Sequence, residues 1–179
     1  MLFIFLFSGI VSFYFYCNNP NERGIILPGL IYTSSTILVF ILSGLDLKKS
    51  NILLYYLLMM VTYLAIFFLT WMSTFFAAFV GIITAGLGAC ISLWLVKKFV
   101  SDLSFDGITA AIFGALGFVC TDICGLVSER QSAYYFFKVE DEVDVVFAEI
   151  FFFWQFFVGS FLVICIKRQL KSITIVRGT

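Results

Sequence analysis

Apolar residues run through this chain in six blocks, Leu2–Cys17, Ile25–Gly44, Ile52–Trp71, Phe75–Val96, Ile108–Val127 and Val145–Ile166, with short polar stretches between them. Most approach the ~20 residues that carry a helix across a hydrocarbon core about 30 Å thick. The pattern therefore predicts an all-α fold: a polytopic integral membrane bundle of six transmembrane helices, forming a single transmembrane domain over residues 1–179. The charge-free stretch from Ile52 to Val96 would be about 68 Å long as one helix, so it must turn back once. Ser73 and Thr74, the small polar pair after Trp71, are the expected turn. The first block starts at Met1 without a basic flank or an Ala-x-Ala cleavage signal, and reads as a retained helix.

Composition sharpens this picture. Hydrophobic residues make up 62% of the chain and charged residues 12%, and eleven Lys plus Arg balance eleven Asp plus Glu. A soluble domain of such composition is excluded, and no basic surface for nucleic acid exists; the lipid bilayer is the expected environment. Charge placement gives orientation. Lys48, Lys49, Lys97, Lys98, Lys167, Arg168, Lys171 and Arg177 fall on one side of a six-crossing bundle, and Arg23, Arg130 and Lys138 on the other. Basic residues near helix ends resist translocation, so both termini are expected in the cytoplasm, in a multi-pass protein of a plasma (inner) membrane.

Two acids remain within spans. Asp122 lies about five residues before the outer end of helix five, and Glu149 about four after the outer start of helix six, so the two are expected at one depth. Ile112, Leu116, Val119 and Ile123 form one stripe of helix five that should meet lipid, which turns Asp122 toward the bundle. Small residues including Gly114 and Gly117 cover the remaining arc, which predicts a central helix. Helix four carries Ala77, Gly81, Ala85, Gly88 and Ser92 at spacings of three and four, a face suited to packing within the chain or to self-association.

Helix two bears five consecutive hydroxyls, Tyr32, Thr33, Ser34, Ser35 and Thr36, one turn after Pro28 and Gly29. Either the Ser and Thr groups bond their own helix carbonyls, or the run lines a hydrated pocket beside a loosened backbone ladder. Tyr32, Thr33, Ser35 and Thr36, with Asp122, Glu149 and Gln155, form the expected substrate- or ion-binding set. The connection Ser128–Asp144 mixes Tyr134, Tyr135, Phe136 and Phe137 with acids. Its alternating Glu140, Glu142 and Asp144 resemble the start of a calcium loop, but the turn glycine is missing and Phe151 replaces the closing acid, so no metal site is expected. Near the basic side, Phe99, Val100, Leu103 and Phe105 interleave with Lys97, Lys98, Ser101 and Asp102, as an interfacial segment in contact with lipid would.

Catalytic chemistry finds little footing. The chain has no histidine, which removes Ser/His proteolysis and bis-His haem ligation, and its five cysteines form no Cys-x-x-Cys pair. No Gly-x-Gly-Asp surrounds Asp122, against intramembrane aspartyl proteolysis. No enzymatic activity and no cofactor are expected. Two functional classes remain. One is a transport-related protein with an outward-facing acidic and polar site for a cation, proton or small polar solute. The other is a non-catalytic accessory or scaffolding subunit of a larger membrane complex, with a membrane-protein partner or a second copy on its small-residue faces. The acidic pair tips the balance toward transport.

Overall fold

The computed structural model describes residues 1–18, 22–48, 51–76, 78–127 and 142–177. It is helical throughout, with α1 (Leu2–Asn18), α2 (Glu22–Ser43), α3 (Ile52–Phe76), α4 (Ala78–Leu95), α5 (Gly107–Val127) and α6 (Glu142–Arg177). Four stretches are long and apolar enough to cross a membrane, in α2, in α3, in α4 together with the residues that follow it to Val100, and in α6, while α1 and α5 supply shorter apolar helices. Two boundaries differ from expectation. Helix α3 carries on through Ser73 and Thr74 to Phe76, since Ser and Thr are only mildly unfavourable in a helix and neither breaks it as Pro or Gly would. Helix α6 continues past Ile166 through Lys167, Arg168, Gln169 and Lys171, all good helix formers, and so projects beyond the apolar stretch.

The helices form a ring in chain order that closes where α1 meets α6. Helix α6 also touches α2 and α4, and is the most buried of the four long spans, at 61% against 17% for α3. The central position predicted for the fifth helix therefore belongs to α6; α5 packs chiefly against α4 and α6. Of the four residues expected to form its outer stripe, Ile112, Leu116 and Ile123 are exposed and Val119 is half-buried.

Because lipid is as apolar as the interior, small residues rather than large ones select the buried faces. On α1 the buried positions Phe5, Ser8, Gly9, Ser12 and Tyr16 form one helical stripe, while Phe3, Phe7 and Ile10 point outward. A Cβ added at Gly117 would stand 2.7 Å from the Trp154 Cα, and one at Gly114 would collide with the Ala85 carbonyl oxygen. On α4, Gly81 lies under the Phe118 ring of α5, Gly88 against Ile66 of α3, and buried Ala85 against α5. The small-residue face of α4 is thus covered by the chain's own helices. Ala77, the first member of that stripe, lies outside the described residues.

At one end of the bundle the loops gather the basic residues. Lys48 N–H donates to the Val100 carbonyl at 2.9 Å, Lys48 Nζ pairs with Asp102 at 2.5 Å, and Gln169 Nε2 donates to the Asp102 carbonyl at 3.0 Å. The α2–α3 connection, the segment after α4 and the extension of α6 therefore meet at this basic end. After Leu95 the chain makes a π-helical turn over Val96–Val100, closed by Ser101 N–H on the Val96 carbonyl at 3.1 Å. That wider turn directs Phe99, Val100 and Leu103 inward, where all are buried, while Lys97 and Lys98 face out and Lys98 Nζ sits 4.7 Å over the Trp94 ring. The segment expected to lie on lipid instead plugs the end of the bundle.

Candidate functional site

The interior is organised around Gln155, which lies on α6 with no exposed surface. Ser8 Oγ donates to its Oε1 at 2.6 Å, and Ser12 Oγ lies 3.2 Å from that oxygen and 3.0 Å from Nε2. Nε2 also reaches the Pro28 carbonyl at 3.0 Å and the Tyr63 hydroxyl at 2.8 Å. An amide nitrogen carries two N–H groups, so these three acceptors share two protons. One side chain thereby joins α1, α2, α3 and α6. The carbonyl involved is Pro28's own, whose second lone pair faces inward, rather than one released by the proline's missing N–H.

Aromatic rings enclose this network. Tyr63 stacks on Phe151 with centroids 5.5 Å apart, and Trp154 lies 5.3 Å from Tyr32 and 5.8 Å from Tyr63. The Trp154 indole N–H donates to the Ala85 carbonyl at 3.0 Å, which fixes that ring against α4. Beside the network is a cavity of about 30 Å³ lined by Tyr63, Phe67, Ala85, Gly88, Phe151 and Trp154. That space has room for a few water molecules at most and not for a solute.

Toward the basic end lies a second polar cluster. Tyr32 and Tyr55 are fully buried, and neither phenol makes a hydrogen bond, although the Ser92 and Thr36 hydroxyls lie beside that of Tyr32 and the Thr36 hydroxyl beside that of Tyr55. Thr36 donates to the Tyr32 carbonyl at 3.0 Å and Ser92 to the Ala89 carbonyl at 2.9 Å, so both hydroxyl protons are used within their own helices. Buried hydroxyls without partners are uncommon, and each weakens the fold.

The sequence-predicted site residues separate into groups. Gln155, Tyr32 and Thr36 belong to these two clusters. Thr33 instead donates to the Gly29 carbonyl at 2.7 Å, the local bond that Ser and Thr make in spans, and Ser35 is half-buried. Glu149 is half-buried on α6, six positions or about 9 Å from Gln155 along the helix, on the side away from the basic end. The side chain of Asp122 lies outside the described residues, but the helix register places its position. Phe113 stacks on Phe161 at 5.1 Å while Gly117 meets Trp154, so α5 and α6 run antiparallel. Five positions onward from Gly117 and five back from Trp154 bring position 122 level with Glu149. Most of the connection Ser128–Asp144, including Glu140, also lies outside the described residues.

Sequence reasoning missed Ser8, Ser12, Tyr55 and Tyr63. Ser8 and Ser12 did carry a signal, two hydroxyls four apart on a helix otherwise almost wholly apolar. The tyrosines carried none, since their residue type suits a membrane interface equally well. Compared with protein-family models, with curated proteins and with solved structures, the chain matches none.

Proposed function

We propose that this chain is a transport-related membrane protein in which an outer acidic site, Asp122 and Glu149, feeds a column of buried polar groups along the bundle axis. All six helices cross the membrane in this reading, with both termini and the basic end in the cytoplasm of a plasma (inner) membrane. The observation that carries it is the column. From Glu149 it runs about 9 Å to Gln155, and from Tyr63 about 12 Å to Tyr55, together most of a hydrocarbon core about 30 Å thick. Buried polar groups are costly in a span, and a bundle held only by packing has little reason to keep two phenols without partners.

The closed packing narrows the cargo. A proton passes along hydroxyls and single water molecules that are hydrogen-bonded to one another, without a pore wide enough for a solute; in this reading transient waters bridge the stretch from Glu149 to Gln155 and the unbonded phenols, which suits this interior better than passage of a solute. In this reading Glu149 and Asp122 take up the proton, Gln155 is a positioning residue that holds the Ser8, Ser12 and Tyr63 hydroxyls together, and Tyr32, Tyr55, Thr36 and Ser92 continue the path. No catalytic residue or cofactor is invoked.

The test is proton flux into proteoliposomes carrying a pH-sensitive dye, under an imposed potential. Asp122→Asn with Glu149→Gln should abolish flux while the protein stays folded and monodisperse. Equal flux from that variant and the parent would sink the proposal. A reporter fused after Thr179 should be protected from external protease in intact cells, and cleavage there would reverse the orientation.

A second reading, an accessory subunit of a membrane complex, draws on α3. Only 17% of its span is buried, and Leu53, Leu57, Val61, Leu64 and Phe68 form an uncovered apolar flank available to a membrane partner. Recovery of a stoichiometric partner after mild extraction, lost on substituting Leu57 and Val61 by Trp, would favour it.

A further inference from the structure

The turn that ends α4 makes an unusual choice of hydrogen bond. In an α-helical continuation the Ser101 N–H would reach the Lys97 carbonyl, four residues back, but here it reaches the Val96 carbonyl, five back, at 3.1 Å. The Lys97 carbonyl left over has a partner from elsewhere: Lys48 Nζ, on the α2–α3 connection, donates to it at 3.4 Å. The same ammonium pairs with Asp102 at 2.5 Å, and the Lys48 backbone N–H donates to the Val100 carbonyl at 2.9 Å. One residue of a neighbouring connection thus engages the turn and the residue after it at three points. One of the three supplies the Lys97 carbonyl with the bond that α-helical pairing would otherwise give it.

The wider turn matters because of what it packs. Val96, Val100 and Leu103 are at most 1% exposed, and the turn rests against α3, whose first turn carries Tyr55. Ser92, the hydroxyl beside that of Tyr32, stands one helical turn before Val96. These apolar side chains therefore close the bundle on the side of the phenol cluster that faces the basic end. A π-helical turn holds one residue more than an α-helical one, so rewinding it shifts the chain that follows by one position, about 100° of rotation. Val100 and Leu103 would then leave the interior.

We propose that Lys48 is a latch that holds the end of α4 in its π-helical turn, and that its release lets the turn rewind to α-helix and swings Val100 out of the end of the bundle. Ser101 N–H keeps one backbone bond in either form, so the contacts from Lys48 decide between them. Because the Lys48–Asp102 pair is reached by solvent, salt weakens the latch. That this end gates a proton path rests on the proposed function; the latch itself does not.

The test is labelling of Val100→Cys by a small, neutral, water-soluble maleimide in the full chain in nanodiscs, read at position 100 by peptide mass spectrometry so that the native cysteines do not interfere. Adding Lys48→Met should raise the labelling rate about twofold to fivefold, the range that an exposed ion pair supports, and Lys48→Arg, which keeps the charge, should label as the parent does. High salt should raise the rate with Lys48 present and leave the Met variant unchanged. Amide hydrogen exchange at Ser101 separates rewinding from melting, since it stays slow if the N–H moves from the Val96 to the Lys97 carbonyl and becomes fast if the end frays. Equal labelling with and without Lys48, or fast exchange at Ser101 in the Met variant, would overturn the proposal. Neither readout involves proton movement, so unchanged flux in the Asp122 and Glu149 variant would count against the proposed function alone.

Discussion

Replacing Gln155 by leucine tests whether the central network holds the bundle together. The two side chains are similar in size, so the change removes hydrogen bonds without opening a large cavity. Oε1 loses Ser8 and Ser12, and Nε2 loses two of the three acceptors Ser12, the Pro28 carbonyl and Tyr63 at any moment. Interhelical hydrogen bonds inside membranes average about 0.6 kcal/mol, with a ceiling near 1.7. Three to four of them give about 2 kcal/mol, and about 5–7 if each approached that ceiling. Part is recovered, because Ser8 and Ser12 can turn to carbonyls of their own helix and the Pro28 carbonyl retains a lone pair in the α2 ladder. The Tyr63 hydroxyl, buried beneath Phe151 and Trp154, has no such fallback. The expected loss is therefore about 2 kcal/mol, measured by steric trapping or by detergent-driven unfolding in bicelles. A double-mutant cycle with Tyr63→Phe should return a coupling of about 0.5–1.5 kcal/mol. Stability equal to or above the parent's for Gln155→Leu would refute the assignment of Gln155 as the tie among four helices.

Three further expectations follow from local geometry. Gly117→Leu drives a side chain into the Trp154 backbone, which cannot move aside as a rotamer does, so it should destabilise by about 1–3 kcal/mol and raise the distance between spin labels on α5 and α6; an unchanged distance would contradict the close approach. Tyr55→Phe removes a buried hydroxyl without a partner, so it should raise stability by about 1 kcal/mol while lowering proton flux, the trade expected when a polar group is kept for function; a loss of stability would mean that the phenol is bonded after all. Asp106 has its pKa lowered by the Thr109 hydroxyl and then by the Thr109 N–H, so its contribution is present above the unfolded carboxylate value of about 3.9 and is lost as pH falls through the lower folded value. Asp106→Asn should flatten the melting temperature against pH in that acidic window, and a profile identical to the parent's would show that the cap does not control it.

The sequence determined the apolar helices and the side of the bundle on which charge collects. Both follow from one-dimensional properties, the run length of apolar residues and the position of Lys and Arg between runs. Lys48, Lys97 and Arg168 were assigned to one end from spacing alone, and contacts from Lys48 to Lys97 and from Gln169 to Asp102 bring those segments together there. Most of the exposed stripe of α5, Ile112, Leu116 and Ile123, was legible for the same reason, since 100° per residue converts spacing directly into direction.

Tertiary structure decided what the polar residues do. The Ser8–Gln155 bond joins positions 147 residues apart, and no periodicity within either helix encodes that meeting. The hydroxyl run on α2 looked uniform in sequence, yet the fold divides it: Thr33 bonds its own backbone, Ser34 accepts from the Tyr56 hydroxyl at 3.0 Å, and Tyr32 is buried against Trp154. The central place went to α6 rather than α5 because α6 reaches across the ring to α2 and α4 besides its neighbours α1 and α5, a fact of topology and not of helix composition. Likewise Phe99, Val100 and Leu103 read as a lipid-facing segment until a π-helical turn rotated them inward. In a chain that is apolar almost everywhere, hydrophobicity says which segments are helices but carries little information about which face meets which, and that choice is made by close backbone approach at glycine and by a few hydrogen bonds.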